Sequence, residues 1–446
     1  MSRYKRYERY KDSGVEWIGD IPEHWELRRI KFIGTLYSGN SFKEELQGKE
    51  EGDCPFYKVS DINGDGKLVT FSNNYVDKDD IVNNRWNIIP QNSILFAKIG
   101  EALKKNHRKI NAYSCLIDNN IAALKPHEIV LDYNYFYYYF SCINAEWFVN
   151  PGTLPSINNT YLKNFIALLP SKNEQKIIAN FLDQKTAEID GLIADKEKLI
   201  ELLQEKRQAI ITEAVTKGLN PNVRMKDSGI EWIGDIPEHW EVKRIKYLTI
   251  VNPNKSEVRH LPSEQEVTFI PMEKIIATGK VDYSLTNTIE NLVNGYTYFR
   301  DGDIIMAKVT PCFENGNIAI VEGLLNGIGF GTTELHVLRC NNKCFNKFLF
   351  YYLQSDVFKS KGVSEMYGVA GLKRIPTDFI LNYKLGIPDY LEQEQIANYL
   401  DEKTSQIDEL ISNIQLQIQK LKEYRQSLIS ETVTGKIDVR DYYVNN

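Results

Sequence analysis

The chain contains part of itself twice, and that repeat constrains its fold more than any other feature. Residues 11–34 read KDSGVEWIGDIPEHWELRRIKFIG and residues 226–249 read KDSGIEWIGDIPEHWEVKRIKYLT, identical at all but six of 24 positions. A second pair follows: EQKIIANFLDQKTAEID at 174–190 and EQEQIANYLDEKTSQID at 392–408, continuing without a gap to TEAVT (212–216) and SETVT (430–434). A duplication at this period makes two modules in series. Each has a short leading motif, a body and a long tail. The bodies, roughly 26–170 and 241–388, share a plan but not a sequence.

The tails read as long helices. Each opens just after a proline with the spacing of a capping box, Ser171 with Glu174 and Asp389 with Glu392. There the cap side chain accepts from an early backbone N–H and the glutamate answers back. Leu400, Ile407, Ile414, Leu421 and Leu428 recur at strict sevens, and the first tail repeats the stripe as Leu182, Ile189, Lys196, Leu203 and Ile210. That is a coiled-coil seam. A helix of about 40 residues spans roughly 60 Å. Lys217-Gly218 ends the first, and Asn220-Pro221 marks the turn beyond it. Two helices with matching seams, related by a module repeat, are expected to pair antiparallel across a pseudo-two-fold axis.

Within the bodies, short β-type runs such as 93–97 (SILFA) and 303–307 (DIIMA) sit among Gly, Asn and Asp turns. The aromatic segments 133–140 and 345–353 suit short helices or buried strands. The expected fold class is α/β (α+β): two similar mixed α/β domains joined by two long antiparallel coiled-coil helices. The divisions run 1–170 (first domain with its leading motif), 171–218 (central helix), 219–388 (second domain with its leading motif) and 389–446 (C-terminal helix and tail).

Composition narrows the class. Hydrophobic residues are 42% and charged residues 26%, the balance of a globular protein. No apolar run approaches the ~18 residues of a membrane span. No apolar stretch follows the basic, Tyr-rich start to make a secretory signal, so a cytoplasmic location is expected. Six scattered cysteines with no CxxC pair read as ordinary reduced thiols. A net charge of −6 argues against a DNA-coating protein, since non-specific affinity comes from Lys and Arg on phosphates. Any DNA reading must rest on local patches.

A search for chemistry turns up no constellation. The Asp/Asn-Pro-Pro-aromatic loop of amino-directed methyltransferases is missing; Asn252-Pro253-Asn254 lacks the second proline. No GxxxxGK[ST] phosphate loop and no GxSxG elbow occur. Gly327, Gly329 and Gly331 form a GxGxG string that suits a turn or β-bulge. Asp195, Glu197 and Lys198 approximate a nuclease set only on the coiled coil, where charges form a solvated face. His24 and His239 hold the same place in the repeated PEHW, which points to one structural job done twice, with Trp25 and Trp240 anchoring each body to the helices.

Taken in order, these parts carry a resemblance along nearly the whole chain. The ExWIGxIPxHW motif at 16–25 and 231–240, the EQxxIAxxLD helix starts at 174–183 and 392–401, and the ILFAK and IIMAK strands at 94–98 and 304–308 resemble Type I restriction-modification specificity subunits. The resemblance implies that each body is a target-recognition domain reading one half of a bipartite double-stranded DNA site. The helices would set the spacing and dock two methyltransferase subunits. Restriction subunits carrying the motor and nuclease would join them. The chain itself would be non-catalytic and bind no cofactor, with S-adenosylmethionine, ATP and Mg²⁺ on its partners. A self-sufficient nuclease or methyltransferase, and a scaffold binding only protein, are the competing readings.

Under that resemblance, the DNA contacts expected in the first body are Lys98, Lys104, Lys105, Asn106, Arg108 and Lys109, on a loop (96–111) placed at the surface by the strand before it. Basic side chains hold phosphates, and Asn or Arg can read base edges. Segment 153–161 (TLPSINNTY) adds Asn158, Asn159 and Tyr161, with a turn packed on the helices as the equal alternative. In the second body the candidates are Lys274, Lys308, Thr310, Tyr367, Lys373 and Arg374, with Gly368 and Gly371 able to let the backbone approach a phosphate.

Overall fold

A computed structural model describes residues 4–64, 66–150, 155–276, 279–368 and 373–442. The chain divides into two compact units: 1–196 together with 416–446, and 197–415.

The two tails are single helices, Lys172–Lys217 and Tyr390–Val433. Ser171 Oγ accepts from Glu174 N at 3.3 Å, and Asp389 Oδ1 from Glu392 N at 2.9 Å. The reciprocal half of the capping box does not form. Both glutamates point away from the cap, to the partners described below. At the far ends Gly218 (φ +76°) and Gly435 (φ +72°) take the left-handed conformation that stops a helix, the second lying three residues after Thr432.

Within each unit the helices pair antiparallel. In the first, Asp190 meets Arg425 at 2.9 Å, and Lys196 Nζ donates to Gln417 at 2.7 Å. Lys196, the one charged member of the seam, is thereby bonded across it. In the second, Arg207 meets Asp408 at 3.2 Å while Ile211, Ala214 and Val215 share a core with Ile396 and Leu400. The two ion pairs are one pair repeated, because 207 and 425, like 190 and 408, stand 218 residues apart.

Each body leaves and rejoins its helix through a two-stranded ribbon. Glu26–Arg29 pairs antiparallel with Ile166–Leu169, and Glu241–Arg244 pairs with Lys384–Ile387 in the same register. Beyond that neck lies a mixed α/β body. The first holds a five-stranded sheet in the order Gly34–Ser38, Ile121–Pro126, Ile94–Ala97, Arg108–Asn111, Leu68–Val69, and a three-stranded one built on Cys54–Tyr57. The second holds a four-stranded sheet, Thr249–Val251, Leu335–Cys340, Ile304–Ala307, Ile318–Ile320, and another built on Glu266–Ile270 and Ile328–Gly331. Of the GxGxG string, Gly327 (φ +70°) closes the turn Leu325–Gly327, as a turn reading asks, while Gly329 and Gly331 lie in the strand Ile328–Gly331, where a Cβ on Gly329 would lie 2.2 Å from the Phe299 ring. The aromatic segments are helices, Tyr133–Ser141 and Asn346–Gln354, and each faces its own long helix.

The repeated tail residues make that docking. Tyr138 Oη donates to Asp183 at 2.6 Å beside Thr186, and Tyr351 Oη to Asp401 at 2.7 Å beside Thr404. Gln175 accepts from Asp132 N and donates to Pro170 O; Gln393 accepts from Phe345 N and donates to Pro388 O. Two duplicated sequences thus form two copies of one socket.

His336, in the strand Leu335–Cys340, is buried, with Nε2 3.1 Å from Ile375 O. Burial depresses its pKa to about 4. An unfolded histidine near 6.5 takes up a proton that the folded one refuses, so its contribution is full above pH 6.5 and lost as the pH falls through 4. We expect the second unit to lose about 3 kcal/mol between pH 7 and 4 from this group. Urea denaturation should show that slope flattened in His336→Gln; an unchanged slope would mean other groups set it. Among the described residues no helix is long and apolar enough to cross a membrane.

Candidate nucleic-acid interface

The leading motif fixes each body at its neck. Trp25 is fully buried, and its Nε1–H donates to Glu174 Oε1 at 3.1 Å; His24 Nε2 lies 3.0 Å from Oε2. Tyr7 Oη donates to the same carboxylate at 2.7 Å. Burial and that carboxylate hold the Tyr7 phenol far above its ordinary pKa, so it stays a donor. Trp240 and His239 repeat the arrangement on Glu392 at 3.2 and 2.8 Å. The repeated His therefore serves the neck.

From that neck the two candidate segments of the first body come together. Ile157 N donates to Lys98 O at 2.9 Å and Gly100 N to Pro155 O at 2.8 Å. The second body repeats this: Ile375 N donates to Lys308 O at 2.8 Å, Thr310 N to Lys373 O at 3.0 Å, and Lys373 N to Thr310 Oγ1 at 3.1 Å. In each body, then, the segment after the central strand lies against the segment before the short helix Asn159–Asn164 or Thr377–Asn382. Thr153, Leu154 and Gly371 fall outside the described residues.

Individual side chains fall into two groups. Lys105, Asn159 and Lys373 are exposed, as are Tyr161 (55%) and Tyr367 (65%). Lys98 and Lys308 are half-buried, and Lys104 reaches solvent while paired with Glu101 at 2.8 Å. Others have their polar atoms bonded within the body. Asn158 caps Asn159–Asn164 through Thr160 N and Tyr161 N and donates to Asn150. Asn106 (φ +54°) donates to Ile143 O and accepts from Ala145 N and from Arg108. Arg374 grips Glu334 through Nε and Nη2 at 3.0 and 2.9 Å. Lys274 pairs with Asp282, one residue before Ile275, whose carbonyl accepts from Asn317 at 3.0 Å.

The surface loop expected over 96–111 does not form. Glu101–Lys104 is a helical turn and Arg108–Asn111 a strand inside the five-stranded sheet. Arg108 is 5% exposed, and Lys109 is buried with its Nζ on Gly66 O. With Lys104, Lys105, Asn106 and His107 they line an open recess of about 550 Å³. Tyr137, Asn144 and, from the second long helix, Gln426 are among its other lining residues. These three lie far apart in sequence, and no local pattern joins them to the basic run.

Residues 22–202 and 237–420 each match the family model of the Type I restriction modification DNA specificity domain. The Escherichia coli Type I restriction enzyme EcoAI specificity subunit is 41% identical over 180 residues, 40% of this chain. The chain spans under a third of that relative, 30% of its length. The MjaVIII specificity subunit of Methanocaldococcus jannaschii is 25% identical over 439 residues, covering 94% of this chain and 95% of that one. A chain solved in a study of assembly and conformational transition of the type I R-M system superimposes with a TM-score of 0.66 over 93% of this chain and 98% of that one. At 13% identity that likeness shows the fold.

Proposed function

Since this chain belongs to the Type I restriction modification DNA specificity family, we propose that it is the DNA-recognition subunit of such a complex. Each body reads one half of a split, asymmetric duplex site, and the long helices set the unread spacer and dock two methyltransferase subunits. Restriction subunits with motor and nuclease join that assembly. The chain is non-catalytic in this reading, and S-adenosylmethionine, ATP and Mg²⁺ are bound by the partners.

One observation carries the proposal. Repeated sockets, with Trp on a Glu and Tyr on the Asp nine residues further along each long helix, hold two bodies whose remaining sequence differs. A frame kept constant around two different surfaces is what reading two different half-sites asks for, and fixed separation of readers measures distance along DNA. We assign the contacts to the paired segments: Lys98, Lys105, Asn159 and Tyr161 in the first body, and Lys308, Lys373 and Tyr367 in the second. Asn106, Asn158, Thr310 and Arg374 shape those segments, and Lys274 supports the neighbouring loop.

The test is methylation mapping. Co-expression with the cognate methyltransferase subunit in cells without background methylation should modify one split motif with a fixed spacer. Exchanging residues 26–170 for those of another family member should change one half of that motif and leave the other. A stable complex that methylates nothing, or does so without sequence preference, would instead favour a protein-binding scaffold.

A further inference from the structure

The frame that repeats carries a surface of its own. RRIKF at 28–32 and KRIKY at 243–247 are the same stretch, 215 residues apart. Each leaves its neck strand and makes one helical turn, Ile30–Ile33 or Ile245–Tyr247. Ile30 and Ile33 are buried, as are Ile245 and Leu248 at the same places. With those two positions anchored, the pair between them faces out: Lys31 with Phe32, and Lys246 with Tyr247. The rings are 64% and 61% exposed, and each ammonium lies beside its ring at 5.2 and 5.4 Å.

The cations of this stretch are partnered in two ways, and both ways are duplicated. Arg28 meets Glu26 at 2.9 Å and Lys243 meets Glu241 at 2.6 Å, so their charges are balanced. Lys31 Nζ instead donates to Asn164 Oδ1 at 3.0 Å, and Lys246 Nζ to Asn382 Oδ1 at 3.3 Å. An amide oxygen orients an ammonium without cancelling its charge. Each asparagine is itself fixed, donating to the carbonyl of Thr160 or Asp378 four residues back. Among the described residues no carboxylate forms an ion pair with Lys31 or Lys246, or with Arg29 and Arg244 two positions earlier.

Position ties these cations to the reading surface. Asn164 ends the short helix Asn159–Asn164, which carries Asn159 and Tyr161, and Lys163 is exposed beside it. Asn382 ends the equivalent helix Thr377–Asn382, just after the segment of Lys373. The bodies differ, as two half-sites differ, but the turn repeats. What repeats along a duplex whatever its sequence is the phosphate backbone. A methyltransferase subunit also comes twice, but ammonium groups left without carboxylates on a chain of net charge −6 suit a polyanion.

We propose that this turn is a phosphate clamp: Lys31 holds the DNA backbone in the first half of the site and Lys246 in the second, with Arg29 and Arg244 adding charge. The proposal rests on the DNA-recognition reading above. It assigns these residues to positioning the duplex and not to base reading, so they contribute equally on every sequence. The repeated frame thereby makes the same contact twice.

The experiment uses the complex with its methyltransferase subunits. Affinity is measured from low to high salt on a duplex carrying the mapped motif and on a scrambled one. Lys31→Gln and Lys246→Gln are each expected to weaken both duplexes alike, by roughly threefold to tenfold, and to reduce the salt slope by about 1; the double variant should reduce it by about 2. Asn164→Asp keeps the acceptor but supplies a carboxylate, so it should reproduce the loss with Lys31 in place. Lys78→Gln is the control for overall charge: that lysine is exposed on the first body, 3.9 Å from Asp53, and its removal should leave the slope unchanged. The methylated motif should be the same throughout. An unchanged slope in the double variant would overturn the proposal, and so would an equal fall in Lys78→Gln. An altered motif would overturn it too, because only base readers change the sequence preference. Loss of methyltransferase subunits from the double variant, seen by native mass spectrometry, would assign the turn to protein docking instead. If the unmodified complex fails to distinguish the two duplexes, the recognition reading fails, while the slopes on the scrambled duplex still judge the clamp.

Discussion

Glu174→Ala should lower the stability of the first unit by about 3 kcal/mol, because it strips two buried donors of their acceptor and adds a cavity. Trp25 Nε1 and Tyr7 Oη both end on this carboxylate, which is 4% exposed. An indole N–H and a phenol left unpaired each carry a desolvation penalty of about 1–3 kcal/mol. Glu392→Ala provides the internal comparison. Its carboxylate is 25% exposed and receives Trp240 and His239, with Asn222 at the aligned place of Tyr7. Water can reach what is left, so the loss should be about 1 kcal/mol. Denaturant unfolding of the full chain, followed by tryptophan fluorescence, would measure both. Equal small losses would mean the carboxylates only cap their helices and do not lock the necks.

Asp303→Ala should be comparably severe, at about 3–5 kcal/mol, for a different reason. Asp303 Oδ1 and Oδ2 accept from Arg339 Nε and Nη2, each at 2.7 Å, and the carboxylate is almost wholly buried. Glu257 accepts from Nη1 at 2.6 Å, but it is more open to solvent and lies on one side only. Removing Asp303 leaves a buried guanidinium half-compensated. The pair is nonetheless dispensable as a pair: in the first body the same strand positions hold Ser93 and Lys125, and Lys125 turns out to Glu128. The double variant Asp303→Ser with Arg339→Leu should therefore recover most of the loss. If it is no better than Asp303→Ala alone, the ion pair stabilises the second body in its own right.

What the sequence disclosed, and what it hid, follow the range of the interactions. Seams and helix ends are local patterns, legible from spacing alone, whereas the aromatic segments 133–140 and 345–353 suit helix and buried strand alike until their docking on the long helices is seen. The Trp anchors were legible too, since two copies of one motif must do one job. Glu174 was misread because a capping box is the local use of a glutamate three residues past a cap. Its actual partner lies 149 residues earlier. The clue was available: the Trp and the Glu are duplicated together. Arg108 and Lys109 were misplaced for the opposite reason. A run of lysines reads as solvated, but Arg108–Asn111 is a strand whose four residues are all buried. Nothing in KKNHRKIN signals that its second half enters a sheet beside Ile94–Ala97. Asn106 was equally opaque, because its worth is a left-handed turn and three internal bonds at the bend between the two halves.

The first unit is assembled from two stretches of chain, 1–196 and 416–446, whereas the second is continuous. On a ribosome those two architectures finish at different times. The first body can meet its socket once residues 174–186 emerge, but Asp190 and Lys196 then wait for Arg425 and Gln417. Gly435, which packs on Pro22 and Trp25, and Lys436, which donates to Ile18 O, arrive later still. At about 5–20 residues per second the intervening 219 residues take roughly 10–40 s to synthesise. The second unit can close within that interval; the first cannot. The part of the protein made first is thus completed last, and its half-built seam spends that time as an apolar stripe open to chaperones or to a partner's helix.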